Sequence, residues 1–359
     1  MNIQKVRSYL EENSLDGILL RKRNNFSWVT EGRYNHIVQA TDQGVADLII
    51  TRDEAHLVTS EMEKRRLVEE ECSQFPFEVE VATVDWFKST DGLIEEITSG
   101  KKMVTDSPYK DWKVVDEELS IWRSELSEKE IESYRDLCQR AARAVEEICK
   151  SIKPGQTEHE IEAALAAKVI AQGIKAQVIL VATDERIYRY RHPIPTGKIL
   201  DKEAMIVLCA ERAGLVANVT RFVHFGEMSQ QVQENKERVA RIDAMMNVTT
   251  LPGNTAGDVI QAGIAQYEKE GFPDDWKLLH QGGLTGYASR EFLADPNTSH
   301  IIKSNQAYAW NPSLPGVKSE DTILVKDNDV EFLTYTGEWV YQEVEVKGKK
   351  VKRPDILKR

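Results

Sequence analysis

The sequence contains few cysteines, and none of them is placed to form a structural motif. The four cysteines are scattered, and no pair has C-x-x-C spacing, so neither a disulfide framework nor a zinc knuckle is indicated. Long apolar runs are also missing, since no stretch approaches the roughly 18 residues that a transmembrane helix needs. Residues 1–11 lack the apolar core of a signal peptide. We therefore expect a cytoplasmic protein without a membrane partner.

A basic surplus is absent as well. The formal net charge is −12 at pH 7, whereas proteins that bind nucleic acids or anionic membranes present a basic face. No nucleic-acid partner is therefore expected. Hydrophobic residues make up 41% and charged residues 30% of the chain, which is typical of a folded globular protein. A length of 359 residues is enough for two domains.

The first third of the chain alternates between helical and strand patterns. Helices are predicted over residues 3–13 and 61–71, and strands over residues 16–20, 45–51, 56–59 and 77–84. This alternation favours an α/β domain with a mixed or parallel sheet. A long helix is predicted over residues 125–150, with Ser127 and Glu130 spaced as a capping box. We place the domain boundary after residue 124.

The remaining residues, 125–359, contain an internal repeat. Two Pro-Gly turns, at Pro154 and Pro252, are each followed by a threonine and by a helical pattern that ends at Gly173 or Gly271 with the same spacing. Pro-Gly favours a turn, threonine caps a helix, and a terminal glycine suits a left-handed C-cap. We therefore predict two similar halves with a site between them. The charged residues 347–359 are predicted to form a solvated end.

Polar residues in apolar surroundings mark the candidate site. His192 precedes a proline, which restricts its backbone and suits an aimed imidazole, and His280 precedes a glycine pair that lets a ligand approach. Arg290 is the residue type that binds carboxylates. Glu320 precedes an apolar strand, where a carboxylate is costly unless it is paired or bound to a ligand. Each residue also has a purely structural alternative. His192 could lie in a surface loop and His280 in a tight turn. Arg290 could form a surface ion pair, and Glu320 could lie in an exposed acidic turn.

Several short motifs together resemble one protein family. Residues 25–32 are similar to an "N-x-x-Y-L-T-G" segment, with Trp for Tyr and one extra residue, and residues 318–322 are similar to an "R-x-E-D-T" ending. Residues 127–131, 153–158 and 220–222 match further landmarks. The chain thus resembles, over nearly its whole length, the methionine aminopeptidases, Xaa-Pro aminopeptidases, prolidases and creatinases, which share the pita-bread fold.

This resemblance implies the architecture and the assembly. Residues 1–124 would form an α/β domain of the creatinase and prolidase type. Residues 125–359 would form an α+β pita-bread domain with an internal pseudo-two-fold repeat. The resemblance also implies a homodimer, in which Trp28, Arg33 or Tyr34 of one subunit reaches the site of the other.

The resemblance further implies where metal ligands would lie. The metallopeptidases of the family bind two divalent ions through two Asp, one His and two Glu. The corresponding positions here are Val207, Asn218, His280, Asn311 and Glu320. Valine cannot ligate and two carboxamides carry no charge, so two divalent ions would remain uncompensated, at a cost on the order of several kcal/mol per ion. We therefore predict no metal and no cofactor.

The metal-free creatinases of the family supply the first functional hypothesis, a metal-independent hydrolase of a C–N bond in a small carboxylate-bearing substrate. His192 would be the general acid and base, with His280 and Glu320 orienting water or substrate. Arg290 would bind the substrate carboxylate. Further substrate contacts are assigned to Asn218, Asn311, Thr220 and Tyr287. Creatine itself does not fit, because the glutamates that hold its guanidinium group in creatinase are missing here.

Two other hypotheses stay open. The chain is a catalytically inactive pita-bread protein that binds a ligand or partner, for which lost metal ligands are the expected sign. Alternatively, it is a Xaa-Pro aminopeptidase or dipeptidase that uses a residual metal site formed by His280, Glu320 and an asparagine. Activity that survives EDTA and disappears in His192→Ala distinguishes the first hypothesis from both.

Overall fold

The chain folds as two compact units. The computed structural model describes residues 1–359, which divide into Met1–Arg123 and Ser124–Arg359. Each unit has its own sheet and its own helices. No helix combines the length and the apolar character needed to cross a bilayer.

The first unit is built on a six-stranded sheet. Its strands are β1 (Gly17–Lys22), β2 (Gln43–Thr51), β3 (Ala55–Ser60), β4 (Glu80–Val84), β5 (Met103–Thr105) and β6 (Lys113–Val114), in the order β4-β3-β2-β1-β5-β6. Its helices are α1 (Asn2–Glu12), α2 (Arg23–Val29), α3 (Glu61–Arg66), α4 (Asp91–Ile97) and α5 (Asp116–Ser124), and a π-helical turn (Leu67–Glu71) and a 3-10 turn (Cys72–Gln74) follow α3. β1 is antiparallel to β2 and parallel to β5. The predicted mixed α/β sheet is therefore confirmed.

Helix α2 is one of the elements of this unit that the sequence did not indicate; the others are α4, α5, β5 and β6. The polar residues after β1 suggested a simple end to that strand, but the chain turns at once into α2 and buries Phe26, Trp28 and Val29. Three apolar side chains within four residues supply the burial that stabilises this short helix. Because the Trp28 side chain is fully buried, the prediction that it reaches a partner subunit is wrong.

The second unit combines long helices with two four-stranded sheets. Its helices are α6 (Glu128–Ser151), α7 (Glu158–Ile170), α8 (Glu185–Arg189), α9 (Gln230–Thr249) and α10 (Ala256–Lys269), with a 3-10 turn at Asp275–Leu278. Its strands are β7 (Lys175–Thr183), β8 (Glu203–Arg212), β9 (Leu215–His224), β10 (Gly282–Thr285), β11 (Ala307–Trp310), β12 (Ser313–Leu314), β13 (Val317–Lys318), β14 (Asp321–Val325), β15 (Val330–Phe332), β16 (Tyr341–Val346), β17 (Lys349–Pro354) and β18 (Leu357–Lys358). The sheet orders are β18-β9-β8-β7 and β10-β11-β14-β15.

The three predicted helix caps are present in this unit, and each of them forms a capping box. Ser127 caps α6 and shares a capping box with Glu130. Thr157 caps α7 and Thr255 caps α10, each with a reciprocal carboxylate three residues later. Because such boxes satisfy backbone N–H groups that lack partners within the helix, they fix where each helix begins.

The internal repeat is visible as two matched junctions. Thr157 forms an isolated antiparallel bridge with Ile199, and Thr255 forms the same bridge with Ile301. In each half the capping threonine therefore starts a helix and also pairs with a later loop. The first half supplies α7 with β7 to β9, and the second supplies α10 with β10, β11 and β14. This arrangement confirms the predicted pseudo-two-fold repeat.

The predicted solvated end at residues 347–359 is wrong. β16 and β17 form a hairpin that packs on α9, and β18 pairs in parallel with β9. Arg353 in β17 is buried, and its guanidinium group donates to Asp243 and Asp321. Charge counts along the sequence missed this segment because its strand pairing and the buried partners of Arg353 lie far away in the chain.

Candidate functional site

Adjacent strands of the second unit bring the predicted site positions together. The backbone N–H of Thr220 in β9 donates to the Glu320 carbonyl at 3.1 Å, which joins β9 to the start of β14. The N–H of Asn311 donates to the Gln281 carbonyl at 3.1 Å, which places Asn311 beside the residue after His280. β11 lies between β10 and β14. One contiguous set of strands therefore carries these positions.

Glu320 is the centre of a buried ion cluster. Its Oε1 accepts a hydrogen bond from Nη2 of Arg290 at 2.9 Å, and its Oε2 accepts from Nζ of Lys318 at 2.8 Å and from Oγ1 of Thr220 at 2.7 Å. Burial alone would raise the pKa of Glu320, but the attraction of Lys318 and Arg290 outweighs burial and lowers this pKa to about 2. The cluster thus contains two cations and one carboxylate.

Two imidazole rings face this cluster. The ring centroids of His192 and His280 are 5.5 Å apart and the rings are tilted by 33°. Burial, reinforced by Arg290, lowers the pKa of His280 to about 4. The pKa of His192 is also lowered, by partial burial and by Lys318, against an opposing effect of Glu320. Both rings are therefore neutral near pH 7, the state in which imidazole accepts a proton.

The two asparagines that the resemblance aligns with metal ligands each present an oxygen without a partner. Asn218 is fully buried and its Nδ2 donates to Oγ1 of Thr285 at 3.1 Å and to the Val216 carbonyl at 3.4 Å, which fixes the orientation of the amide. Its Oδ1 has no hydrogen bond, and neither does Oδ1 of the buried Asn311. Unpaired buried acceptors are uncommon, and these two are available to N–H donors of a bound ligand.

Val207 and Cys209 form an apolar wall beside these groups. Both lie on the same face of β8, where Val207 is opposite Thr220 and Cys209 is opposite Asn218. Burial and the nearby Glu320 raise the pKa of Cys209 to about 11, so it is a neutral thiol rather than a nucleophilic thiolate. Sequence reasoning missed Cys209, although the two-residue alternation of a strand places it beside Val207.

Two of the predicted substrate contacts have other partners. The Tyr287 hydroxyl donates to Oε1 of Glu130, in the capping box of α6, at 2.8 Å, so it is not directed at the cluster around Glu320. Thr220 lies in the cluster, but its hydroxyl is already donated to Glu320. Conversely, Lys318 was not predicted as a site residue. It entered the sequence analysis only as part of a motif, yet it forms a direct ion pair with Glu320.

The geometry can now be set against known proteins. The profile of Metallopeptidase family M24 matches residues 132–327, which is more than half of the chain, and the Creatinase/Prolidase N-terminal domain matches residues 2–113. This chain belongs to the metallopeptidase family M24. It is therefore a divergent member of a hydrolase family, and the resemblance inferred from the motifs is confirmed.

Curated relatives within the family match nearly the whole chain. A Xaa-Pro dipeptidase of Pyrococcus horikoshii is 24% identical over 363 residues, covering 93% of this chain and 97% of the relative. A Xaa-Pro dipeptidase of Pyrococcus furiosus is 23% identical with the same coverage. The family thus connects this chain to enzymes that act on Xaa-Pro dipeptides.

Solved structures confirm the fold. The prolidase from Pyrococcus horikoshii has a TM-score of 0.79 at 22% identity and covers 93% of this chain and 98% of its own. The Xaa-Pro dipeptidase from Bacillus anthracis has a TM-score of 0.78 at 18% identity and covers 99% of both chains. The N-terminal domain of a FACT complex subunit from chickpea (Cicer arietinum) shares the fold, with a TM-score of 0.67 at 12% identity and 94% coverage of both chains.

The site residues of this M24 member do not fit a dinuclear metal centre. No group of three or more His, Cys, Asp or Glu side chains is placed to hold a metal ion. The buried Val207 offers no donor atom, and the carboxamides of Asn218 and Asn311 offer no charge. Glu320 already neutralises part of the charge of Lys318 and Arg290, so divalent ions would add to a positive cluster.

Proposed function

We propose that this chain hydrolyses a C–N bond in a small, dipeptide-like substrate that carries a carboxylate. The observation that carries the proposal is the cluster in which Arg290 and Lys318 surround Glu320 while His192 and His280 stay neutral. Two cations against one anion favour an anionic ligand. The neutral imidazoles can move the protons that hydrolysis requires.

The relatives favour Xaa-Pro dipeptides as the first substrate class to test. A Xaa-Pro peptidase was one of the two hypotheses left open beside the metal-independent hydrolase, and the Pyrococcus relatives that cover 93% of this chain are Xaa-Pro dipeptidases. A dipeptide also has the features that the site can bind. Its carboxylate suits Arg290, and the N–H groups of its terminal ammonium suit the free oxygens of Asn218 and Asn311.

The residues of the site support a reaction in which an imidazole transfers the protons. In this proposal His192 removes a proton from water, and the water oxygen forms a bond to the carbonyl carbon. The C–N bond then breaks, and the proton on His192 passes to the leaving nitrogen. Arg290 orients the substrate carboxylate, while Lys318 and Thr220 hold Glu320 in place. The relatives give no support to metal independence, which depends on the charge argument alone.

The decisive experiment is a dipeptide assay in which the metal content is known. Protein purified without chelator is analysed for bound metal and incubated with a panel of Xaa-Pro and other dipeptides, with EDTA or with added Mn²⁺. We expect hydrolysis that survives EDTA and is lost in His192→Ala. Hydrolysis that requires stoichiometric Mn²⁺ and is lost in His280→Ala would instead support the Xaa-Pro peptidase with a residual metal site.

A catalytically inactive binding protein is the second candidate function. Val207 favours it, because a hydrocarbon side chain occupies the position of the first metal ligand. The occurrence of the fold in the FACT complex subunit shows that a domain of such a complex can have this architecture. This candidate is supported if no dipeptide is cleaved while dipeptides still bind and protect the protein against thermal unfolding.

We further propose a homodimer, which rests on the family resemblance. Arg33 and Tyr34 lie in the first unit and are partly exposed, but Nη1 of Arg33 is bound to Gln74 at 2.7 Å. Light scattering coupled to size-exclusion chromatography measures the mass of the particle. A monomer at micromolar concentration contradicts this part of the proposal.

A further inference from the structure

A buried carboxylate lies at the base of the segment that carries His192. Glu158 is the first residue of α7 and its side chain is fully buried. β7 ends at Thr183, after which the chain passes through α8 and His192 before it reaches Thr196. Both ends of this segment, residues 184–195, meet at Glu158.

Each oxygen of Glu158 binds one end of the segment. Oε1 accepts hydrogen bonds from the backbone N–H and the hydroxyl of Thr183, at 2.9 and 3.1 Å, and from Nε of Arg186 at 3.0 Å. Oε2 accepts from the backbone N–H and the hydroxyl of Thr196, at 2.9 and 2.8 Å. A carboxylate offers about four lone-pair sites, so these donors saturate Glu158.

Arg186 extends this anchor towards His192. Its Nε is bound by Glu158, and its Nη2 donates to the carbonyl of Ile194 at 2.7 Å. Ile194 is two residues beyond His192. The guanidinium group therefore connects the buried carboxylate to the backbone next to the imidazole.

The other half of the repeat builds the same junction without a carboxylate. The backbone N–H of Glu158 donates to the Lys198 carbonyl at 3.0 Å, and the N–H of Ala256 donates to the His300 carbonyl at 2.9 Å. Ala256 is buried and occupies the position in α10 that Glu158 occupies in α7. The junction can therefore form with an alanine at this position. The carboxylate of Glu158 is not needed for the junction, and its role lies in holding residues 184–195.

We propose that Glu158 is a positioning residue, which holds both ends of residues 184–195 together and thereby keeps the His192 imidazole beside His280. This inference rests on the proposed function, because it takes His192 as the group that transfers protons. The anchoring of the segment does not depend on activity and can be measured separately.

Hydrogen exchange followed by mass spectrometry tests the anchor. In Glu158→Ala we expect amide exchange in residues 184–195 to accelerate by about tenfold or more, while residues 292–300 of the other half exchange as before. Glu158→Gln should have a smaller effect, because its one remaining oxygen still accepts hydrogen bonds at one end. Glu162→Ala is the matched control, since Glu162 is a carboxylate of the same helix that takes no part in its capping box.

Two results would overturn the anchor: unchanged exchange in residues 184–195 of Glu158→Ala, or an equal acceleration throughout the second unit. The latter would mean that Glu158 only stabilises the fold. The control Glu162→Ala should leave the exchange of residues 184–195 unchanged.

Kinetics test the positioning role where the wild type hydrolyses a dipeptide. Glu158→Ala should lower kcat by more than it raises KM, because the substrate still binds to Arg290 but meets a misplaced imidazole. An accelerated exchange with unchanged kcat would contradict the positioning role. A wild type without hydrolytic activity would contradict the proposed function, and the exchange experiment would still decide whether Glu158 anchors the segment.

Discussion

The two halves of the second unit share a junction but fasten their functional side chains differently. In the first half, the buried Glu158 holds the base of the segment, while His192 has no hydrogen bond to another side chain and is partly exposed. In the second half, Ala256 stands at the base, and the functional side chain itself, Arg290, is ion-paired with Glu320. In the first half the imidazole is placed indirectly, because the ends of its chain segment are held. In the second half the cation, Arg290, is fixed directly by its own ion pair.

The backbone reinforces this contrast. The segment with Arg290 is tied to β10, because the N–H of Glu291 donates to the Leu284 carbonyl at 2.7 Å and the N–H of Ala294 donates to the Gly282 carbonyl at 2.9 Å. A proton-transferring group must change its partners during a reaction, whereas a group that binds a carboxylate works best when it is preorganised. The difference between the halves corresponds to the two tasks that we propose for His192 and Arg290.

The largest expected effect comes from removing the imidazole of the first half. His192→Ala should lower kcat for a cleaved dipeptide by roughly 10²–10⁴-fold, since it removes the general acid and base. His300→Ala is the control in the second half, because the His300 ring contacts Gln306 at 3.2 Å and lies outside the cluster. Steady-state kinetics of both variants check the prediction, and equal losses would contradict the separation of tasks.

A smaller effect is expected from breaking the ion pairs of the second half. Glu320→Gln should lower the free energy of unfolding by about 3–5 kcal/mol, because it leaves Lys318 and Arg290 buried without a counter-charge. Glu331→Gln is the control: its pair with Arg135 is partly exposed and should contribute no more than about 1 kcal/mol. Denaturant unfolding of both variants measures the difference. Similar losses would show that Glu320 is better solvated than the structure indicates.

Acid should remove most of the stability that Glu320 contributes. The pKa of this group is lowered from 4.5 to about 2 in the folded protein. Its contribution is therefore present above about pH 4.5 and lost as the pH falls through 2, with a magnitude of roughly 3 kcal/mol. The difference in unfolding free energy between wild type and Glu320→Gln, measured from pH 6 to the lowest pH at which the protein stays folded, should shrink on acidification. A constant difference would contradict the depressed pKa.

The smallest effect is expected from removing the threonine caps that the two halves share. Thr157→Ala and Thr255→Ala each remove a helix cap and should each lower the free energy of unfolding by about 1 kcal/mol. The double variant should lose the sum, since the two caps share no partner. Equilibrium unfolding of the three variants checks this additivity. A marked deviation would reveal coupling between the junctions.

Local sequence patterns predicted much of this architecture. Ser127 was recognisable as a cap because its carboxylate partner is three residues away, whereas Thr157 and Thr255 were recognisable because each follows a Pro-Gly turn. The same two turns revealed the repeat. The strands β2 and β3 were predicted from local patterns at residues 45–51 and 56–59. In each case the information lies within a short stretch of chain.

Contacts between distant residues were not predictable in this way. Arg290 reaches Glu320 across a separation of 30 residues, and Tyr287 reaches Glu130 across a separation of 157 residues. The same limitation explains the charged residues 347–359, whose Arg353 is neutralised by Asp243 and Asp321. A lone charged residue in a sequence does not reveal whether folding supplies a buried counter-charge.

The succession of Glu320 and Asp321 has a consequence for how the site can move. Neighbouring residues of a strand point to opposite faces, so Glu320 meets Lys318 and Arg290 while Asp321 meets Arg221 and Arg353. The backbone between them cannot tilt without straining ionic contacts on one face or the other. A ligand therefore meets Glu320 in a position that is already fixed from both faces, and must match that geometry.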